Sequence, residues 1–343
     1  MRKPFARNRS GGQRDMPSPR YFLKHFVPFT GYPYEGAPAA CNLCGCRDAV
    51  TVAETDRRLK ILRSIACTQC GLIRTDPMPT PDELAEYYAS AYRADYQLAF
   101  AGGPPRHHLN RSAREARFRA DLLAPKLTPG AQLLDFGSGS GEFLAEAKRR
   151  GCEVIGVEPG RDYATYARTH HGVEVLDEAE DPNRFPAGHF DVISTHHVLE
   201  HLRNPAETME RLARWLKPDG ILYAAVPNMA ATGKPPHERF HFAHVHGYVR
   251  ETFDLLARRA GLVPHTEYWR EDTTVVYRKT DAPAVPLTNP GLADRLAVDL
   301  KPMSAGLYFA SGAWILPALR RNAKAVRDGM AKDEVAKDGN AGR

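Results

Sequence analysis

The chain has 343 residues, of which 43% are hydrophobic and 26% charged, an ordinary balance for a globular protein with one large domain and one or two smaller ones. The net charge of +6 lies mostly in residues 1–38, where seven lysines and arginines stand against two acids. The remaining chain is nearly neutral, which disfavours the basic patch typical of a nucleic-acid-binding domain.

Residues 1–38 are rich in Gly, Ser and Pro as well as in basic residues, and they contain no apolar stretch of the kind found in a secretory signal. We predict a basic, flexible tail on a cytoplasmic protein. A transit peptide is the weaker alternative.

Four cysteines form two C-x-x-C pairs, Cys41 with Cys44 and Cys67 with Cys70, and each pair is followed by a glycine. The segment between the pairs is long enough for a hairpin that brings them together around one tetrahedral Zn²⁺. Two disulfides or a redox C-x-x-C are the alternatives. We predict a structural zinc-ribbon module over residues 39–78, because four thiolates leave no coordination position for a reacting water.

A helix follows the module, and its start is marked by Thr80, Pro81 and Glu83, which form a capping-box pattern. We predict a helical lid or linker over residues 79–126. Tyrosines on this helix either cover a ligand or pack in the core.

From Gln132 onward, short apolar runs alternate with amphipathic helices, which predicts an α/β domain with a doubly wound, mostly parallel seven-stranded sheet over residues 127–280. Before the helix that begins at Pro205, Asn204 and Glu207 predict a capping box. Ligands of such sheets bind at the carboxyl ends of the strands. The predicted strands are QLLDF, EVIGVE, VEVL, FDVIST, ILYAAVP, LVPHTEYW and TTVVYRK.

The run His197-Val198-Leu199-Glu200-His201 has the H-x-x-E-H pattern of a group of zinc proteases. It occupies only the short connection between the fourth strand and the next helix. A protease site needs a longer helix to present both histidines on one face, so we exclude this function.

The first strand ends at Asp135 and runs into a loop with Gly137, Gly139 and Gly141. A dinucleotide-binding loop would have its third glycine where this chain has Glu142. The glycines allow the backbone to pass close to a ligand, and Glu158, at the end of the second strand, has two acceptor oxygens at the spacing of a ribose cis-diol.

The D-x-G-x-G-x-G spacing and the motifs that follow it, over roughly residues 127–279, resemble the class I S-adenosylmethionine-dependent methyltransferases. The resemblance implies that Asp135 holds the ammonium of S-adenosylmethionine, directly or through water, and that Glu158 binds its ribose. Asp177 or the following Glu is placed nearest the adenine amine, and His196 lies at the cofactor-binding edge.

The C-x-x-C pairs and the helix after them resemble the amino-terminal zinc module and lid of methyltransferases of glycan and secondary-metabolite biosynthesis. This implies a small-molecule or glycan-type acceptor. Two alternatives stay open, namely a zinc-ribbon RNA methyltransferase and an inactive methyltransferase-like scaffold. The absence of the Asn/Asp-Pro-Pro-aromatic motif and the near-neutral core make nucleic acid an unlikely partner, and the intact glycine loop disfavours the scaffold.

Methylation of a hydroxyl requires a general base, and the histidine-rich segment 237–253 is predicted to supply it. It is too polar to be interpreted as core, and His244 or His246 is the predicted base, with His197 as a further candidate. An unperturbed imidazole titrates near pH 6.5, in the range such a base needs. The alternative is that these histidines only cap the helix that starts near Tyr248 or form hydrogen bonds with the lid.

Ubiquinone-pathway O-methyltransferases resemble the loop at residues 197–201 and have an E-x-x-E-H motif that binds Mg²⁺. Glu200 and His201 match that motif, but His197 replaces its first Glu. The resemblance therefore leaves a Mg²⁺ site in doubt, and a hydrogen-bonded structural pair is the alternative for Glu200 and His201.

Residues 281–343 are predicted to form a carboxy-terminal helical extension with a frayed end. An uncharged run at residues 302–319 is followed by several basic residues. This pattern predicts a packed terminal helix or, as the alternative, a weak membrane-surface contact through residues 302–327.

Overall fold

A computed structural model describes residues 24–25, 27–92, 104–177, 181, 183–231, 236–269, 272–281 and 285–301. These residues form one large and one small β-sheet. The strands are β1 Ala49–Thr55, β2 Ile61–Cys67, β3 Ile73–Thr75, β4 Gln132–Phe136, β5 Glu153–Val157, β6 Glu174–Leu176, β7 Phe190–His196, β8 Leu216–Pro227, β9 His246–Gly247, β10 Leu262–Trp269 and β11 Asp272–Lys279. The α-helices are α1 Pro81–Ser90, α2 Arg106–Leu122, α3 Glu142–Arg149, α4 Arg161–Tyr166, α5 Pro205–Trp215, α6 Arg250–Arg259 and α7 Leu292–Asp299.

The large sheet has seven strands in the order β10-β11-β8-β7-β4-β5-β6. The neighbouring strands from β8 to β6 pair in parallel, and β11 pairs antiparallel with both β8 and β10. This confirms the predicted doubly wound, mostly parallel sheet. The order of strands reverses at β4, so the crevice beyond the carboxyl ends of β4, β5 and β7 is where a ligand of this fold binds.

Apolar side chains on both faces hold the sheet between two helical layers. One face packs against α5 and α6 through Met209, Leu212, Phe253 and Leu256. The other packs against α2 and α3 through side chains that include Phe143 and Leu144. Because both faces of the central strands are buried, their sequences are continuous apolar runs, which is why the strands could be predicted.

The small sheet has the strand order β1-β2-β3-β9, and all its pairings are antiparallel. Its fourth strand, β9, comes from far along the chain, after β8 of the large sheet. Helix α7 packs against it through Leu292 and Leu296, in a cluster that includes Val52 and Ala66. The predicted extension therefore includes a helix that belongs to the small sheet, whereas residues 302–343, and with them the predicted membrane-surface contact, lie outside the described residues.

The predicted tail over residues 1–38 is anchored near its end. Most of residues 27–38 are exposed, but Tyr32 is buried, stacks on Phe242, and donates a hydrogen bond of 2.5 Å to Oδ2 of Asp56. Residues 1–23 lie outside the described part of the chain. No helix among the described residues is long and apolar enough to cross a membrane.

One predicted capping box is confirmed and the other is wrong. Thr80 and Glu83 exchange hydrogen bonds between side chain and backbone at the start of α1. At the start of α5, the side chain of Asn204 makes no capping bond. Instead, the backbone N–H of Ala206 donates a hydrogen bond of 2.8 Å to Oδ1 of Asn42, which lies inside the first C-x-x-C pair. The cap is tertiary, so the local sequence pattern did not reveal it.

Candidate functional site

The glycine loop lies at the carboxyl end of β4, and all three glycines have positive φ angles, 84° at Gly137, 54° at Gly139 and 86° at Gly141. A Cβ on Gly137 would come within 2.2 Å of Val198, and a Cβ on Gly141 within 2.7 Å of Ala167. At Gly139 there is nothing within 4 Å. Two glycines are thus required by packing, whereas Gly139 borders open space where a ligand can pass close to the backbone.

Glu158 follows β5, and backbone groups fix its carboxylate on the glycine loop. Gly139 N–H donates to Oε2 at 2.9 Å, and Gly160 N–H donates to Oε1 at 2.7 Å. A carboxylate has about four acceptor positions on its two oxygens. The arrangement fits the two neighbouring hydroxyls of a ribose.

Asp135 lies beneath the loop, not on its open face. Its side chain is fully buried, and Oδ1 is 3.3 Å from Nη1 of Arg119, which also donates to Oγ of Ser194 at 3.0 Å. Burial raises the pKa of Asp135, and the guanidinium opposes that rise. In this structure the side chain of Asp135 has no exposed surface, and its Oδ2 is buried without a hydrogen-bond partner among the described residues. Arg119 was not predicted, because an arginine on a helix carries no signal of its tertiary partner.

His196 ends β7 close to this crevice. Its Nδ1 is 3.2 Å from the hydroxyl of Tyr223, and its Nε2 is 3.6 Å from Oε2 of Glu115 on α2. Burial lowers the pKa of His196 to about 4, despite the neighbouring carboxylate. Asp177 lies past β6, where its exposed carboxylate accepts a hydrogen bond of 2.6 Å from Nη2 of Arg168. The Glu that follows Asp177 is outside the described residues.

The predicted H-x-x-E-H stretch forms a histidine cluster around Glu200, which is 1% exposed. Oε1 of Glu200 lies 3.2 Å from Nδ1 of His197, 3.9 Å from Nε2 of His201 and 3.8 Å from Nε2 of His244. The stretch folds as a single 3₁₀ turn, Leu199–His201, which confirms that it is no metalloprotease helix. His197 has a positive φ of 56°, a strained conformation for a residue with a side chain.

Glu200, His201 and His244 can together hold a metal ion, since one ligand atom of each lies within 4.8 Å of the others. The Nδ1 atom of His201 is 2.9 Å from both the carbonyl oxygen of Ala243 and the hydroxyl oxygen of Tyr88. Two imidazoles with one carboxylate suit a transition metal better than Mg²⁺.

Residues 240–249 are mostly buried, contrary to the expectation that the segment 237–253 is too polar for the core. Phe240, Phe242, Val245 and Tyr248 are at most 4% exposed, and so is His246 at 1%. These apolar side chains alternate with histidines along the chain. Its histidines do not cap α6, whose first turn is capped by Val249 and Thr252.

The two predicted bases differ in their surroundings. His246 lies in β9, and its Nδ1 is 3.0 Å from the carbonyl oxygen of Leu202. Burial lowers the pKa of His246 to about 4 and, together with neighbouring histidines, the pKa of His244 well below 6.5. The expectation of unperturbed titration near pH 6.5 is therefore wrong for both.

The four cysteines of the two C-x-x-C pairs converge at the edge of the small sheet. The Sγ atoms of Cys41 and Cys70 are 3.5 Å apart, those of Cys44 and Cys67 are 3.4 Å apart, and all four lie within 4.8 Å of one another. Ligands about 2.3 Å from the centre of a tetrahedron are roughly 3.8 Å apart, so this geometry fits one Zn²⁺.

Hydrogen bonding within the cysteine cluster shifts the pKa values of its thiols in opposite directions. Hydrogen bonds from Cys41 and Cys70 lower the pKa of Cys67, whereas hydrogen bonding to Cys41 and Cys67, with burial, raises the pKa of Cys70. Four thiolates do not coexist at this spacing unless a cation shares their charge.

Residues 106–267 match a methyltransferase domain. Among curated relatives, the ubiquinone biosynthesis O-methyltransferase of Caulobacter vibrioides is 34% identical over 119 residues, 33% of this chain and 47% of the relative. The one of Nitrosococcus oceani is 31% identical over 156 residues, 43% of this chain and 62% of the relative. The chain thus spans about half the length of the curated relatives it matches.

A crystal structure of a SAM dependent methyltransferase from Archaeoglobus fulgidus is 17% identical, with a TM-score of 0.43 over 49% of this chain and 94% of that chain. The region matched by the methyltransferase domain, residues 106–267, includes the glycine loop, Glu158 and the cluster around Glu200. The four cysteines of the small sheet lie outside it.

Proposed function

We propose that the protein is an S-adenosylmethionine-dependent methyltransferase that methylates a hydroxyl of a small-molecule or glycan-type acceptor. The observation that carries the proposal is the carboxylate of Glu158, which two backbone N–H groups hold against the glycine loop. The match of residues 106–267 to a methyltransferase domain supports it, as do relatives named O-methyltransferases.

When bound, S-adenosylmethionine would supply an electrophilic methyl group on a positively charged sulfur. The chain's part is to bind and orient. Glu158 accepts from the two ribose hydroxyls, Gly139 leaves room for the cofactor beside the backbone, and Asp135 with Arg119 supports the loop from below. Methyl transfer is an in-line displacement, so holding the acceptor in position is the main contribution of the protein.

The acceptor hydroxyl must lose its proton, and we assign this step to the cluster around Glu200. His244 is the better candidate for the base, because its Nε2 faces Glu200, whose charge stabilises an imidazolium. His246 is less suited, since it lies in a strand and is hydrogen-bonded to Leu202. His197 is the alternative base in the same cluster.

The four cysteines are proposed to hold one structural Zn²⁺. The ion would neutralise the thiolates and join the two C-x-x-C pairs. Because it would have no free coordination position, it would take no part in methyl transfer. Residues 39–78 would then be a zinc module attached to the methyltransferase domain.

The test is turnover of labelled S-adenosylmethionine with a panel of phenols, nucleotide sugars and lipid-linked glycans, with RNA as the competing class. We expect methylation of a hydroxyl compound, a drop of roughly 10²-fold or more in kcat for His244→Ala, and unchanged cofactor affinity. Activity should survive EDTA. If EDTA abolishes activity while the cysteine cluster keeps its zinc, and an added transition metal restores activity, Glu200, His201 and His244 act as metal ligands instead. If no acceptor of any class is methylated, the proposed function is wrong.

A further inference from the structure

Glu200 is surrounded by more ligating side chains than proton removal requires. One base is enough to take a proton from a hydroxyl, yet three imidazoles lie between 3.2 and 3.9 Å from its Oε1 atom. The side chains of His201 and His244 are only 14% and 9% exposed, so they are mostly buried together with the carboxylate. A single base therefore does not explain the whole set.

The carboxylate of Glu200 is buried without a partner of fixed positive charge. Among the described residues, its ion-pair partners are imidazoles, and no lysine or arginine is one of them. Its second oxygen, Oε2, is buried and has no hydrogen-bond partner in the described part of the chain. A buried carboxylate is unfavourable unless it is paired or coordinates a metal. A cation beside Glu200 would supply the missing charge.

The two mostly buried imidazoles reach Glu200 from different segments. His201 ends the 3₁₀ turn Leu199–His201, and His244 comes from the segment before β9. Their Nε2 atoms lie 3.9 Å and 3.8 Å from Oε1 of Glu200, and the two rings are 4.7 Å apart at an angle of 80°. Ligands about 2.1 Å from the centre of a tetrahedron are roughly 3.4 Å apart, so closing each separation by roughly half an ångström brings the three atoms to one ion.

The surroundings of His201 are those of a metal ligand. Its Nδ1 is 2.9 Å from the carbonyl oxygen of Ala243, and metal-bound histidines usually donate their other ring N–H to a carbonyl or carboxylate. The hydroxyl of Tyr88 lies 3.3 Å from the same carbonyl oxygen. His197 is the member of the cluster that reaches the surface, with its side chain 32% exposed, so an ion can enter beside it.

We propose that Glu200, His201 and His244 form a second metal site, which binds one divalent transition-metal ion such as Co²⁺ or Zn²⁺. Two imidazole nitrogens and one carboxylate are a known set of three protein ligands for Zn²⁺, whereas Mg²⁺ prefers oxygen ligands alone. The site differs from the Mg²⁺ site of the E-x-x-E-H motif, because His244 lies outside that motif and His197 replaces its first Glu.

The ion and the proton of the acceptor would compete for one atom. In the proposed methyl transfer, Nε2 of His244 takes the proton of the acceptor hydroxyl, and this nitrogen has a single lone pair. A bound ion occupies that lone pair, so the metal-loaded protein has no free base at His244. The second metal site is therefore inhibitory; this part rests on the proposed function, whereas metal binding does not.

The first experiment measures metal binding without turnover. The full chain is dialysed against EDTA, which should empty the open three-ligand site but leave zinc on the four cysteines. It is then dialysed against increasing Co²⁺, and both metals are counted by elemental analysis. We expect one Co²⁺ per chain in addition to the retained zinc.

X-ray absorption at the cobalt edge of this wild-type sample should show nitrogen and oxygen neighbours at about 2.1 Å and no sulfur. Sulfur neighbours would place the cobalt at the cysteines and overturn the second site. Displacement of Co²⁺ by an equal concentration of Mg²⁺ would overturn its assignment to a transition metal. Because the measurement uses the wild type, the proposal stays testable if a substitution prevents folding.

The ligands are then removed singly. Glu200→Gln, His201→Gln and His244→Gln should each weaken Co²⁺ binding by at least roughly 100-fold, since losing even the hydrogen-bonding partner of a ligand costs roughly 10- to 100-fold. His265→Gln is the matched control, because it removes an exposed histidine of β10, and it should bind Co²⁺ like the wild type. Equal affinities in the wild type and the folded ligand variants would overturn the site.

The second experiment tests the competition with the base. Saturating Co²⁺ should lower kcat by roughly 10²-fold, as His244→Ala does, with a midpoint at the Co²⁺ concentration that half-fills the site. EDTA should restore the rate without removing the zinc, and the affinity for S-adenosylmethionine should not change. Full activity of the Co²⁺-loaded protein, or stimulation by Co²⁺, would overturn the inhibition. Absence of all turnover would contradict the proposed function but not the metal site.

Discussion

At the scale of single residues, Glu158 shows how the backbone can prepare a side chain for a ligand. Its two oxygens are held by N–H groups of Gly139 and Gly160, so the carboxylate needs no reorganisation when hydroxyls arrive. A side chain fixed in this way loses little entropy on binding.

We therefore expect Glu158→Ala to weaken the binding of S-adenosylmethionine by about 1.5–3 kcal/mol, or roughly 10- to 150-fold in Kd, since the ribose hydroxyls lose a charged acceptor. Isothermal titration calorimetry measures this directly. Glu153→Ala is the matched control, because Glu153 is exposed at the start of the same strand. Unchanged affinity in Glu158→Ala would remove this residue from the site.

His196 gives a pH dependence with a definite sign. Burial lowers its pKa from 6.5 in the unfolded chain to about 4, so between these values the unfolded chain binds the extra proton. Stability from this residue is therefore complete above pH 6.5 and is lost as the pH falls toward 4, by on the order of 1–3 kcal/mol.

Thermal midpoints across this range should fall less steeply for His196→Gln than for the wild type. Other buried histidines keep part of the slope. His265→Gln, at an exposed position in β10, should follow the wild-type curve. If His196→Gln also follows it, His196 is not neutral in the folded protein at pH 5.

At the scale of elements, the start of α5 depends on a residue 164 positions before Ala206 in the chain. The side chain of Asn42 caps the helix at Ala206 and thereby joins the first C-x-x-C pair to the large domain. Its Nδ2 also lies 3.4 Å from Oδ1 of Asn204.

Asn42→Ala should destabilise the protein by about 1 kcal/mol, the usual effect of losing a helix cap, which corresponds to roughly 2–4 °C in the thermal midpoint. Asn204→Ala should cost much less, because Asn204 makes no capping bond. Metal content is measured alongside, so that loss of the cap is separated from disturbance of the cysteines. Equal losses of stability in the two variants would show that Asn204 caps the helix, as the sequence predicts.

The difference between local sequence signals and contacts between distant segments explains what the sequence could predict. Strands β4 and β7 and the glycine loop were predictable because apolar runs and glycine spacing are local signals. The cap of α5, the pairing of Arg119 with Asp135 and the approach of His244 to Glu200 are contacts between distant segments. The prediction that the histidine-rich segment is too polar for the core failed for the same reason, because the burial of this segment depends on the small sheet that covers it.

At the scale of the whole molecule, the cysteine cluster lies where the small sheet packs against the core of the large sheet. Protein purified without added metal should contain about one zinc per chain by elemental analysis. Removal of the metal by a strong chelator should lower the thermal midpoint and increase hydrogen exchange in β1, β2 and β3 first, while β4 and β5 keep their protection until global unfolding. A metal-free preparation whose midpoint does not respond to chelator would contradict the zinc assignment.

The pairing of β3 with β9 and the packing of α7 on the small sheet have a consequence for synthesis. A ribosome releases β1 to β3 early, but the strand that completes their sheet is residues 246–247 and the helix that covers it is residues 292–299. During the intervening translation, the edge of β3 has no partner and the apolar side chains under α7 are uncovered. Nascent chains halted before residue 246 should therefore bind chaperones at this sheet, and release should follow only after residue 300 has emerged.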